Sequence, residues 1–257
     1  MAISSDTLFH FTNHPNGLLG ILKNGYLPSY CLEILKFDGK MTSRSYPMVC
    51  FCDIPLSQIK NHIDFYGSYG LGMTKEWGRK NKLNPILYLD SDSNLNKYLI
   101  NMANEIWCER CDDKCKDLTI PLRANYWHMM RYIKAYEGNF ERGAKIHKNY
   151  RYYNEREWRY VPEVIDNSED SEEIYYLTEE EHRDEFKRAD KNQEIQNICK
   201  LTFAPEDIEY VILKEKKQIF SMIDTIRRMG KDRVFSDKDL DYLITKILTV
   251  DQIKSDF

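Results

Sequence analysis

The sequence predicts an α+β protein, and three observations predict it. Strand-like runs dominate up to Leu89 and return at Arg156, a helical pattern separates them, and the chain closes on further helices. Neither a GxGxxG nor a GxxxxGK[ST] segment is present, which argues against an alternating βαβ nucleotide-binding fold. Hydrophobic residues make up 42% of the 257, with only 11 Gly and 8 Pro, the composition of a folded globular chain. The expectation is one domain over 1–257, with a helical insertion at about 93–148, an acidic segment at 163–186 and C-terminal helices at about 216–250.

Each element has its own signal. Leu8-Phe9-His10-Phe11-Thr12 reads as a short strand, and Asn13-His14-Pro15 starts a helix whose apolar side is Leu18, Leu19, Ile21 and Leu22, stopped by Asn24-Gly25. Pro47 to Cys52 reads as a buried strand, followed by a turn at Asp53–Ser57 into a helix carrying Ile59, His62 and Ile63. Tyr66 to Met73 is a glycine-spaced loop passing into a strand, and Pro85 to Leu89 is another strand. Leu95, Leu99, Met102 and Ile106 make an amphipathic helical stripe, and a second helix is expected from Asn125 to Tyr136, ending at Gly138. Arg156 to Val161 alternates like a strand, and Ile208 to Leu213 is an apolar one. Two terminal helices follow, one ending before Gly230 and one capped by Ser236-x-x-Asp239.

The net charge of −4, from 37 Lys+Arg and 41 Asp+Glu, hides a division. Between Glu163 and Glu185 eleven acidic residues face a single base, Arg183, so that tract carries −10 and the remaining chain +6. Such a tract is a solvated loop, a competitor for phosphates or a handle for a partner. No apolar stretch approaches the ~20 residues that span a bilayer. The start, Met1-Ala2-Ile3-Ser4-Ser5-Asp6, lacks the pattern of a secretion signal, and seven Cys then read as reduced thiols in the cytoplasm.

Four groups of residues carry chemical potential. His10 and Thr12, two apart on a strand, share a face and can hydrogen-bond one ligand, or His10 is an ordinary strand residue. Glu155 and Glu157, again two apart, can stabilise a developing positive charge or orient a hydroxyl, or they mark a solvated edge strand. Cys108, Cys111 and Cys115 could hold zinc with a fourth ligand such as His128, Cys199 or Cys31, but their spacing also suits packing on one helix face; packing is the reading adopted, with no metal. From Arg123 to Tyr160 basic residues interleave with aromatics, a pattern shared by single-stranded nucleic-acid surfaces and by core stripes with a basic outer face; Arg151, Tyr152, Tyr153 and Arg159 are the candidates for nucleic acid.

His10-x-Thr12 followed by Leu18-x-x-Ile21-Leu22-x-x-Gly25 resembles the opening of ADP-ribosyltransferases, notably the DarT-like group that modifies nucleic acid. Phe51-Cys52-Asp53-Ile54-Pro55-Leu56, Tyr66-Gly67-Ser68-Tyr69-Gly70, Lys75-Glu76-Trp77-Gly78 and Glu155-x-Glu157-Trp158-Arg159 look like the AbiGi abortive-infection family of phage-defence loci. The superfamily resemblance implies a split β-sheet core and NAD as substrate. His10, with Thr12, would then hold an NAD ribose, Tyr66 or Tyr69 the nicotinamide, and Arg44 the pyrophosphate, unless Arg44 is a solvent-facing loop residue. Glu157 would be the catalytic glutamate and Glu155 would orient the acceptor. The second strand reads Val49-Cys50-Phe51-Cys52 where arginine-modifying members have Ser-Thr-Ser, so the histidine-first members are the better analogy.

The leading functional expectation is a phage-defence toxin that transfers ADP-ribose from NAD to a macromolecule, preferably RNA or DNA, and is held by a cognate antitoxin. The alternative is a non-catalytic antitoxin or regulator that binds a toxin partner or nucleic acid. NAD hydrolysis comes third. No membrane partner is expected.

Overall fold

The computed structural model describes residues 4–37, 39–107, 113–142, 145–163, 176–229 and 236–256. In chain order the elements are β1 (Thr7–Thr12), α1 (Pro15–Asn24), β2 (Ser29–Phe37), β3 (Lys40–Cys52), α2 (Lys60–Tyr66), β4 (Tyr69–Thr74), α3 (Lys75–Lys80), β5 (Asn84–Pro85), β6 (Leu87–Leu89), α4 (Asn94–Ile106) and α5 (Asp113–Met130). They continue with β7 (Ile133–Ala135), β8 (Gly138–Arg142), β9 (Lys145–Tyr150), β10 (Glu157–Tyr160), β11 (Leu177–Thr178), α6 (Glu179–Arg183), α7 (Glu185–Ile198), β12 (Ile208–Leu213), α8 (Ile219–Met229), α9 (Asp237–Thr245), β13 (Ile247–Thr249) and α10 (Val250–Asp256). The mixed α+β class expected from the sequence holds.

The main sheet runs β13-β12-β4-β1-β3-β10-β5, with β2 and β11 also on β3. β3 is the organising strand because it serves two sets of neighbours. Its last residues lie between β1 and β10, with Cys52 opposite both Phe9 and Glu157. Its first residues pair with β2 and β11, so the sheet continues past the central strands as a second wing.

Local sequence explains the ends of these elements. His14 caps α1, its ring accepting from the Asn16 amide, and Pro15 occupies the first turn where no donor is needed. Gly25 stops the helix at φ 81°, where a Cβ would lie 2.7 Å from the Leu201 carbonyl oxygen. One face of the sheet packs Leu8, Val49, Phe51, Leu71 and Val211 with Trp77 of α3 under α1, α8 and α9; the other packs Phe9, Cys52 and Ile212 against Ile59, which precedes α2. A separate apolar layer joins Tyr46 and Met48 of β3 to Leu99 of α4 and Tyr126 of α5.

Three expectations change. The helix expected from Asn125 to Tyr136 is α5, which runs from Asp113 to Met130 and includes Pro121; Ile133–Ala135 turns instead into β7, parallel to β6, because β-branched and apolar residues there find a strand partner. The stretch expected to be a helical insertion also holds the β8–β9 hairpin. The strand expected over Pro85–Leu89 splits, β5 joining β10 and β6 joining β7. Twelve residues of the acidic segment, 164–175, lie outside the described residues, as do Cys108 and Cys111 and the side chain of Cys115.

Candidate functional site

The densest ionic arrangement is a chain of buried side chains under β10. Lys134 of β7 places Nζ 2.9 Å from Glu155 Oε2 and 2.7 Å from Glu157 Oε2. Arg159 donates from Nε to Glu157 Oε1 at 2.5 Å, from Nη2 to Glu33 of β2, and from Nη1 to the Arg131 carbonyl at 2.8 Å. Tyr66, at the end of α2, donates its hydroxyl to Glu155 Oε1. The Glu157 amide in turn donates to the Tyr88 hydroxyl at 2.8 Å. Glu33, Glu155, Glu157 and Arg159 are all buried, Arg159 completely.

Backbone geometry assembles this set. β10 begins at Glu157, so strand alternation does not place Glu155, which ends a 3-10 turn. Between them Arg156 adopts a left-handed conformation at φ 46°, and that turn lets both carboxylates reach Lys134. The charges set the proton affinities. Burial would raise the Glu157 carboxyl, but Arg159 and Lys134 outweigh it and hold the group well below the ordinary carboxylate range. Glu33 goes the other way, because burial outweighs the help of Arg159. Burial, reinforced by the Glu155 charge, pushes the Tyr66 phenol up, so it stays a donor.

The sequence-derived candidates do not converge on one point. Glu155, Glu157, Tyr66 and Arg159 share the network. His10 does not join it. Cys52 stands opposite Phe9 and Glu157, and Phe51 opposite Trp158, so Glu157 projects from one face of the sheet. His10, the neighbour of Phe9, projects from the other, where its ring lies 5.2 Å from Tyr26 and 5.6 Å from Phe51 and its Nδ1 is 2.8 Å from the Cys50 carbonyl. Burial lowers its proton affinity against the opposing pull of that carbonyl. Thr12 donates to the His14 carbonyl at 3.0 Å within its own turn.

Tyr69 is apart from Tyr66: its hydroxyl accepts from Gln218 at 2.9 Å, and it lines a cleft with Asn13, His14, Ser68 and Lys214. Arg44 lies on β3 rather than in a loop, with its guanidinium 4.8 Å from the Tyr176 ring and a 2.8 Å bond to the Ser43 carbonyl. Arg151 and Tyr153 are exposed, while Tyr152 bonds the Asn139 carbonyl at 2.9 Å and carries Lys134 over its ring. Arg159, fully buried, is the one proposed nucleic-acid contact that solvent cannot reach.

Sequence reasoning missed Glu33, Tyr88 and Lys134. The alternation of Tyr30, Leu32 and Ile34 with Cys31, Glu33 and Leu35 was the available sign of β2, with one carboxylate set on its inner side. Lys134 was hidden by the helix expected to run through it. As arranged, every carboxylate oxygen of Glu155 and Glu157 already accepts from a side chain. The set ties β2, α2, β7 and β10 together.

Comparison with known proteins adds the biological setting. Residues 24–214 match the family model described as "Putative abortive phage resistance protein AbiGi, antitoxin". A protein of Lactococcus lactis subsp. cremoris, "Abortive phage resistance protein AbiGi", is 28% identical over 255 residues, covering 90% of this chain and 99% of that one. No solved structure matches. The family description names an antitoxin, and this overturns the expectation of an ADP-ribosylating toxin acting on RNA or DNA.

Proposed function

This chain belongs to the AbiGi family, and we propose that it acts as a non-catalytic antitoxin of an abortive-infection system, binding and restraining a cognate toxin protein. The observation that carries the reading is the family match across residues 24–214 with its antitoxin description. The site geometry supports it independently. Glu157 has both oxygens committed to Arg159 and Lys134, and His10 faces the opposite side of the sheet. An oxocarbenium-stabilising glutamate works through its negative charge, which Arg159 and Lys134 here neutralise.

The test is expression. The chain alone leaves growth unchanged, and its co-production with the toxin of the same locus lifts that toxin's arrest while the two proteins co-purify. Incubation with NAD leaves NAD intact. Growth arrest by the chain alone that Glu157→Gln relieves, or release of nicotinamide, would overturn the antitoxin reading.

A further inference from the structure

Between Ile146 and Tyr160 the sequence alternates Lys148, Arg151, Arg156 and Arg159 with Glu155 and Glu157, so its net charge is modest. The fold sorts these charges. Glu155, Glu157 and Arg159 turn inward, at 3%, 4% and 0% exposure, and neutralise one another with Lys134. The other charged residues of this stretch are all positive: Lys148 and Arg151 are exposed and Arg156 is half-buried.

These cations flank an aromatic step. The Arg151 guanidinium lies 5.7 Å from the Tyr136 ring, Tyr136 and Tyr153 are 5.6 Å apart and inclined by 32°, and Arg156 lies 5.8 Å from Tyr153. Tyr88 supports Tyr153 edge-on at 5.3 Å, leaving Tyr153 43% exposed. Two guanidinium groups are thus held at ring faces, with the partly exposed Tyr153 ring beside them, before any ligand arrives. Exposed Glu137, which follows Tyr136, and Asp90, which follows Leu89, limit the positive surface at one end.

We propose that this face, Arg151, Tyr153 and Arg156, binds single-stranded nucleic acid, with a base stacked on Tyr153 and phosphates at the guanidinium groups. An exposed aromatic ring accepts any unpaired base, whereas bases in a duplex are already stacked, so single strands are favoured. The proposal does not rest on the antitoxin reading, since a chain that ignores nucleic acid still neutralises its toxin in the co-expression test above.

The experiment is fluorescence anisotropy of the intact protein with labelled oligouridine and oligothymidine of roughly 15 nucleotides at about 50 mM salt. Two phosphate contacts give a slope of log K against log salt of about −1.4. Arg151→Gln and Arg156→Asn, the latter keeping a residue suited to the left-handed backbone, each reduce that slope by about 0.7. Tyr153→Ala weakens binding about tenfold and leaves the slope unchanged. Absence of binding, binding untouched by the triple variant Arg151→Gln, Tyr153→Ala, Arg156→Asn with its melting temperature preserved, tighter binding to duplex, or equal competition by polyglutamate each overturns the proposal; the last would mark a surface for acidic protein instead.

Discussion

Lys134 Nζ lies 2.7 Å from Glu157 Oε2 and is shared with Glu155, so one ammonium closes a buried set that also holds Arg159, Glu33 and Tyr66. Three strands and a helix from distant parts of the chain meet there, and the ions are largely sealed from water. The pairing is therefore more costly to break than a surface bridge.

Lys134→Met takes the cation from buried Glu155 and leaves Arg159 to serve both Glu157 and Glu33. Breaking one side of a buried pair costs about 3–5 kcal/mol. For a chain of this size that lowers the melting temperature on the order of 10 °C, readable by calorimetry. A double variant, Lys134→Met with Glu155→Gln, recovers part of the loss because it removes one orphaned charge; no recovery would mean the two groups are not coupled.

The network makes stability depend on pH in two opposite ways. Glu157 is held below its ordinary range, so its contribution is fully present above its unfolded value near pH 4.3 and fades as pH falls through the lower folded value. Glu33 is raised, so its contribution is full below about pH 4.3 and fades as pH rises through the folded value. Glu33→Gln flattens the fall of melting temperature on the alkaline side of the optimum, whereas Glu157→Gln flattens the acid side and lowers stability at neutral pH. Parallel curves for parent and Glu33→Gln would refute the assignment.

Gly67 ends α2 at φ 116°, and a Cβ there would lie 2.1 Å from the Thr12 carbonyl oxygen. The backbone conformation and the contact both exclude a side chain, and neither neighbour is a flexible tip. Gly67→Ala costs more than about 3 kcal/mol and yields little soluble protein.

Asn192 of α7 accepts the Tyr30 amide of β2 at 2.8 Å, tying a helix to the outer edge of the second wing. Asn192→Ala costs about 1 kcal/mol. Hydrogen exchange at the Tyr30 amide accelerates about fivefold, while amides of β4 and β12 hold their protection. A uniform increase across the sheet would show instead that the wing unfolds only with the whole domain.

Local chemistry made much of the architecture legible. His14-Pro15 and Asn24-Gly25 bounded α1, Ser236 and Asp239 capped α9, and the apolar runs at Leu8 and Ile208 were the strands β1 and β12. The family motifs around Phe51, Tyr66, Lys75 and Glu155 pointed to AbiGi, and the family match bears that out. Where the reading went astray, tertiary partners decided: Ile133–Ala135 became a strand because β6 was there to pair with it, and β3 grew to span two wings because β2 and β11 lay beside it.

The sequence by itself determined the α+β class, the positions of most strands and caps, and the family, since each depends on residues close together in the chain or on short motifs. Only the tertiary structure decided what Glu155 and Glu157 do. Their fate depends on Lys134, Arg159 and Glu33, brought to them by β7, β10 and β2. It also separated His10 from Glu157, because Phe9 rather than His10 lies in register with Cys52 and Glu157, and consecutive residues of a strand take opposite faces.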